Sequence, residues 1–236
     1  EFAAARRGGA ASEARGPRRP YPRNEVLRMY REMFLRVVCK AYWGDVEAGL
    51  IPRTSRVARI LLHSIEHALM NARDELLDWE VVRDKVDAVG VKPRMNAVVG
   101  KWPLSLVPEL KQWFPSEQVV NSWKVMACLS LIEAHQSARK ELAEHFKGSR
   151  VFAEDIREEV ANESEQACAQ ARAVVGALPQ DEVADGRSKM LAGKLVQVQL
   201  GKVRELVEKG LLEEKGAKRI IHHINAHAGR VRAEEE

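Results

Sequence analysis

FLRVVCKAYWGDVEAGLIPRTSRVARILLHSIEHALMNARDELLDWE, residues 34–80 of the chain, reads as two amphipathic helices folded over a Gly-Leu-Ile-Pro corner at 49–52. The first is predicted over 24–48. Asn24 offers a side-chain cap, and Val26, Tyr30, Phe34, Val37 and Ala41 recur at helical spacing. Thr54 or Ser55 caps the second, in which Val57, Leu61, Ser64 or Ile65, Ala68 and Ala72 line one face. Arg56, Arg59, His63, Glu66, His67 and Arg73 line the other. Tyr42 and Trp43 stand just before the corner. Trp43 and Trp79 are expected to be buried near each other's helices, so that Trp43→Ala costs about 3–5 kcal/mol.

Outward from this pair the helical pattern continues. A short third helix is predicted over 76–88, then an irregular span, 89–115, punctuated by Pro93, Pro103, Pro108 and Pro115. A long helix follows over 116–146, with Glu117 favoured in its first turn and Gly148 closing it. The next, over 153–177, is heavily charged with small residues on one face. Residues 179–186 read as a loop, and two last helices, 187–209 and 213–231, meet at Gly210, which suits a left-handed cap. No stretch reads as a strand. The fold class is all-α: a multi-helix bundle of six to seven helices behind a disordered basic leader. Residues 24–231 form the helical domain, divisible at 115 into sub-bundles 24–115 and 116–231, with an acidic tail at 232–236.

Composition narrows the function classes. At 236 residues, with 45% hydrophobic and 31% charged, the chain can bury a core. Aromatic content of 6% argues against an all-β sandwich, and no run of 18 apolar residues exists. Cys39, Cys128 and Cys168 are odd in number and lack a CxxC spacing, the pattern of reduced intracellular thiols. The net charge of +4 sits wholly in residues 1–23, where six arginines face Glu1 and Glu13. The rest of the chain is neutral, so no basic face for nucleic acid is expected. The leader reads as an Ala/Gly/Pro/Arg linker, or as an arm drawn to an anionic membrane surface or acidic partner. A transit peptide fits its composition, but GPRRPYP breaks any amphipathic helix there. The chain begins as though cut from something longer.

Candidate chemistry is sparse. His63-Ser64-Ile65-Glu66-His67 spells a zinc-peptidase motif, with two histidines one turn apart and an adjacent carboxylate as general base. A catalytic zinc needs a third ligand, and none presents itself, so the bland reading is a solvated helix face. His222, His223 and His227 near the last helix end are expected to be structural or solvated. Trp102, Trp113 and Phe114 in KWPLSLVPELKQWFP (101–115), with Trp123, suit loop packing or an interfacial contact. Val99-Gly100-Lys101 lacks the rest of a P-loop. No cofactor, catalytic residue or metal is expected.

Several segments, taken in order, resemble a known family. They are Phe34-Leu35, Ala41-Tyr42-Trp43, Glu47-Ala48-Gly49-Leu50-Ile51, Leu61-Leu62-x-Ser64-Ile65-Glu66-x-Ala68-Leu69 and Leu77-Asp78-Trp79. Then come Ala134-His135-x-x-Ala138-Arg139-x-x-Leu142, Asn162-Glu163-Ser164-Glu165 and Leu206-x-x-Lys209-Gly210-Leu211-Leu212-Glu213-Glu214-Lys215. The set covers most of residues 30–225. It resembles the cytoplasmic helical domain of Salt-Overly-Sensitive-type plasma-membrane sodium/proton exchangers and their sperm-type relatives. The resemblance implies a homodimeric parent that expels Na⁺ in return for H⁺. It places a transmembrane domain upstream and a cyclic-nucleotide-binding-like domain downstream.

The ion-binding acids of that family belong to the membrane domain, so the resemblance implies for this segment a regulatory role at the cytoplasmic face of the plasma membrane. Tyr42, Trp43, Gly49, Ser64, Glu66, Asp78, Trp79, His135, Arg139 and Gly210 are the structural or interaction positions it singles out. Two other readings stand beside it: a free-standing helical adaptor, and a zinc-dependent hydrolase built on His63, Glu66 and His67.

Overall fold

The computed structural model describes residues 21–73, 75–99, 117–149 and 151–233, and among these every regular element is a helix. In chain order they are α1 (Arg23–Glu47), α2 (Arg56–Met70), α3 (Asp78–Val99), α4 (Glu117–His145), α5 (Glu154–Gly176), α6 (Gln180–Glu208) and α7 (Glu214–Ala233). Residues 1–20 of the leader, the 101–115 aromatic segment and residues 234–236 lie outside the described residues, while Arg23, read above as the end of the leader, is the first residue of α1 and pairs with Asp155 and Glu159. None of the described helices is long and apolar enough to cross a membrane.

The second helix of the opening pair folds as its pattern dictates, whereas on α1 the expected stripe holds at Val26, Tyr30 and Phe34 but Val37 and Ala41 are only half-buried, and Leu35, Val38 and Tyr42 enter the core instead. Residues Val57, Leu61, Ser64, Ile65, Ala68 and Ala72 are all buried, and Ser55 caps α2 by accepting from the Ala58 amide at 3.1 Å. The corner is built on Gly49, whose φ of 73° is left-handed. It lets the Leu50 amide turn back to the Asp45 carbonyl at 2.9 Å and places Ile51, 2% exposed, in the core. α1 starts differently from expectation. Asn24 lies inside the helix, and the Pro22 carbonyl accepts from the Glu25 and Val26 amides at 2.9 and 3.2 Å. The first turn is closed by backbone, so the Asn24 side chain is not its cap.

α4 is the central element, packing on α5, α1, α6, α3 and α2. One apolar core, from Val26 on α1 to Val183 on α6, runs continuously across residue 115. At one end Tyr30, Phe146 and Phe152 stack edge-on or tilted, with centroids 4.9–6.1 Å apart. α7 packs chiefly on α6, making a hairpin at the side of the bundle. Gly210, with φ 68°, forms its corner.

Two prolines marked helix differently from the reading above. α3 runs on through Pro93 to Val99 rather than ending at 88. A proline denies one backbone bond, and Ala88, Lys92, Arg94, Met95 and Ala97 around it favour helix. The loop expected at 179–186 is instead the first two turns of α6. The Pro179 carbonyl accepts from the Val183 amide at 3.0 Å, and Asp181 and Glu182 suit the positive helix end. Gly186 is there for a close approach. A Cβ at this position would stand 2.6 Å from Val125 Cγ1 and 3.1 Å from its Cβ, and Val125 is a fully buried β-branched side chain. Gly186→Ala is therefore expected to destabilise by about 1–3 kcal/mol through overpacking, despite alanine's better helix propensity. Gly201→Ala, on the same helix with nothing within 4 Å, is expected to stabilise by about 0.5–1 kcal/mol. Urea midpoints of the two variants should move in opposite directions; a shared direction refutes the contact.

Candidate functional site

The residues with most chemistry in them meet in the middle of the bundle. Asp78 opens α3, where the helix dipole favours a carboxylate. His135 lies at mid-length on α4 and Ser164 on α5, each within an apolar row of its helix. His135 Nε2 is 2.7 Å from Asp78 Oδ2, and its Nδ1 is 3.1 Å from Ser164 Oγ. All three residues are 0% exposed. Phe34 of α1 meets the imidazole edge-on, with centroids 5.3 Å apart.

An ionised Asp78 requires the proton on Nε2, which donates to the carboxylate. Nδ1 then accepts from the Ser164 hydroxyl, or donates to it when the ring is charged. Asp78 Oδ1 and the Tyr42 hydroxyl are both buried, with no hydrogen-bond partner among the described residues. They are chemically complementary, an acceptor and a donor. Burial, and after it the negative charge of Asp78, pushes the Tyr42 phenol well above its ordinary range.

Asp, His and Ser in series is the composition of a hydrolase triad. Here the serine and the imidazole are sealed from solvent, so no substrate carbonyl reaches the hydroxyl in this conformation. What the node does is join α3, α4 and α5 through two directional bonds in a low-dielectric interior. The thiols nearby are not activated either. Burial pushes Cys168 up to about 11 and Cys128 up to about 12.

A shell of ion pairs surrounds the node. Arg31, 3% exposed, grips Glu163 through both carboxylate oxygens at 2.5 and 3.1 Å. It also donates to the Arg73 carbonyl at 2.9 Å, tying α1 to α5 and to the segment after α2. Arg139 of α4 pairs with Glu165, which also accepts from Arg172 at 2.8 Å. Those bonds, Arg172 first and Arg139 second, hold the Glu165 carboxyl below its usual value. Trp79, 3% exposed, donates its indole N–H to Gln170 Oε1 at 2.6 Å.

Of the positions singled out from sequence, Asp78 and His135 are bonded to each other, Tyr42 is buried within electrostatic reach of Asp78, and Arg139 and Trp79 lie in the surrounding contacts. Ser64 is buried apart from the node and donates to the Leu61 carbonyl at 2.7 Å. Gly49 and Gly210 are corners. Trp43 is a correction: it is 38% exposed, not buried beside Trp79, and Arg53 stacks over it at 5.8 Å. Neighbouring helical residues point about 100° apart, and at this level of α1 the core lies on the Tyr42 side, which leaves Trp43 toward solvent.

His63, Glu66 and His67 are exposed on α2, with His63 Nδ1 4.0 Å from Glu66 Oε2. Among the described residues no group of three or more His, Cys, Asp or Glu is placed to hold a metal. Arg31 and its pairing were not anticipated. The signal was present, since Arg31 interrupts the row Leu27, Leu35 and Val38. In comparisons with known proteins the chain matches no family model, and no curated protein is significantly similar to it.

Proposed function

We propose that this chain is the cytoplasmic regulatory and dimerisation domain of a plasma-membrane sodium/proton exchanger, a parent that expels Na⁺ in return for H⁺. The observation that carries the reading is convergence. Four of the separate blocks on which the resemblance rests supply Tyr42, Asp78, His135 with Arg139, and Glu163-Ser164-Glu165. These blocks come together around one buried node. Residues that must meet in space are those a fold constrains, so an ordered set of short likenesses gains weight when its members touch. In this reading the chain carries no catalysis and no transport. It links a membrane domain upstream to a cyclic-nucleotide-binding-like domain downstream, on the cytoplasmic face.

α6 supports the dimerisation half. Leu191, Leu195 and Val198 recur at helical spacing and are 61–65% exposed, a stripe suited to a second helix. The same stripe favours the second reading, a free-standing helical adaptor that offers α6 to a different partner. Light scattering on the purified chain is expected to give a dimer, and Leu195→Glu/Val198→Glu a folded monomer. Coding sequence recovered upstream is expected to contain a series of long hydrophobic spans. If it contains none, the exchanger reading fails and the adaptor reading stands.

A further inference from the structure

We propose that the cleft between α2 and α3 binds a multiply charged phosphate ester, held by Arg56, Arg59 and Lys85 with His63 at its edge. This cleft, of about 450 Å³, is lined by Arg56, Arg59, Ile60, His63 and Lys85. Its floor is the buried Ile60, and every polar group on its wall is a cation or a histidine. The arrangement follows from the helix. Arg56, Arg59 and His63 fall three and four residues apart on one face of α2, and Lys85 reaches the same space from α3.

Many cations of the bundle are offset. Arg23, Arg31, Lys40, Arg139, Arg172, Lys194 and Lys209 each face a carboxylate. In the cleft, Arg56, Arg59 and Lys85 have no carboxylate partner among the described residues. Glu66 Oε2 stands 4.0 Å from His63 Nδ1, at the limit of contact. α2 is also the only described helix with no acidic residue in its first turn, so the positive end of its dipole adds to the same field.

Arg56 is further oriented by stacking over Trp123 of α4 at 5.6 Å, which occupies the face of the guanidinium and leaves its N–H edge for an acceptor. Like charges held together without a counter-charge repel, and an anion of two or more charges relieves that. Phosphate oxygens match both the guanidinium forks and the ammonium donors. Carboxylate ligands share the charge but spread fewer acceptors over a space of this size. The ligand class is thus a polyphosphorylated small molecule or the same group on a lipid.

Calorimetric titration of the whole chain with inositol trisphosphate tests this. Binding is expected, with affinity falling about ten-fold or more in Arg59→Ala/Lys85→Ala, which removes two charge-assisted contacts. Both side chains are exposed, so the fold should be retained, and circular dichroism checks that. Arg36→Ala/Lys140→Ala removes the same charge from other exposed sites and should leave the affinity unchanged. Phosphatidylcholine vesicles doped with phosphatidylinositol bisphosphate separate the two sources. Co-sedimentation that inositol trisphosphate displaces assigns the site to a lipid headgroup, and absence of co-sedimentation assigns it to a soluble ester. The proposal is overturned if neither probe binds. It is also overturned if the two double variants bind equally, because the anion is then held by the arginine-rich leader or by net charge alone.

Discussion

His135→Leu is expected to lower the free energy of unfolding by about 3–5 kcal/mol, the range for breaking a buried charged pair by deleting one partner. Leucine nearly matches the imidazole in volume, so the loss comes from the groups left behind rather than from a cavity. The Asp78 carboxylate, wholly buried and short of a partner at Oδ1 among the described residues, would lose its bond at Oδ2. Ser164 would lose the ring nitrogen 3.1 Å away. Charge is the larger item, which gives a second measurement. Asp78→Asn in the His135→Leu background removes that charge and should restore about 1 kcal/mol or more, so that the two substitutions are strongly non-additive. Urea unfolding followed by circular dichroism at one fixed pH reads both. A loss below about 1 kcal/mol in His135→Leu, or plain additivity in the double variant, would falsify the clamp role given to the node.

The parts legible in the sequence were those set by a single helix's own periodicity. α2 is the clearest case: every residue assigned to its inner face is buried, because its two faces differ sharply in composition. Ser55 and Gly49 were legible for the same local reason, a cap and a left-handed corner being decided within a few residues. Partnerships were not. His135 meets Asp78 across 57 residues and Ser164 across 29, and no local rule encodes which polar residue of one helix faces that of another. What the chain did show was each polar group interrupting an apolar row: His135 between Leu131, Ala138 and Leu142, Ser164 between Val160 and Cys168, Arg31 after Leu27. The misreadings at Pro93 and at 179–186 share one cause. Proline and glycine are breakers in a local reading, whereas Pro179 starts a helix and Gly186 makes room for Val125.

Trp79→Ala is expected to cost about 3–5 kcal/mol, while Trp43→Ala should cost no more than about 1 kcal/mol. The difference follows from where each ring sits. Trp79 is in the first turn of α3, 3% exposed, within the same core as Phe34 and Leu131. Truncating it removes the buried area of the largest side chain type, leaves a cavity, and strands Gln170, which now accepts its indole N–H at 2.6 Å. Trp79 also directly follows Asp78 at the start of α3. Loss of the ring therefore loosens the turn that presents the carboxylate to His135, and Trp79→Ala should be partly non-additive with His135→Leu. Trp43, 38% exposed, stacks with Arg53 at 5.8 Å at the surface, where water can take up the space that truncation leaves. Tryptophan emission gives an independent reading. Removing Trp79 should shift the native spectrum toward the red by deleting a shielded emitter, and removing Trp43 should shift it toward the blue. Equal costs for the two substitutions would return Trp43 to the core and refute its placement at the surface.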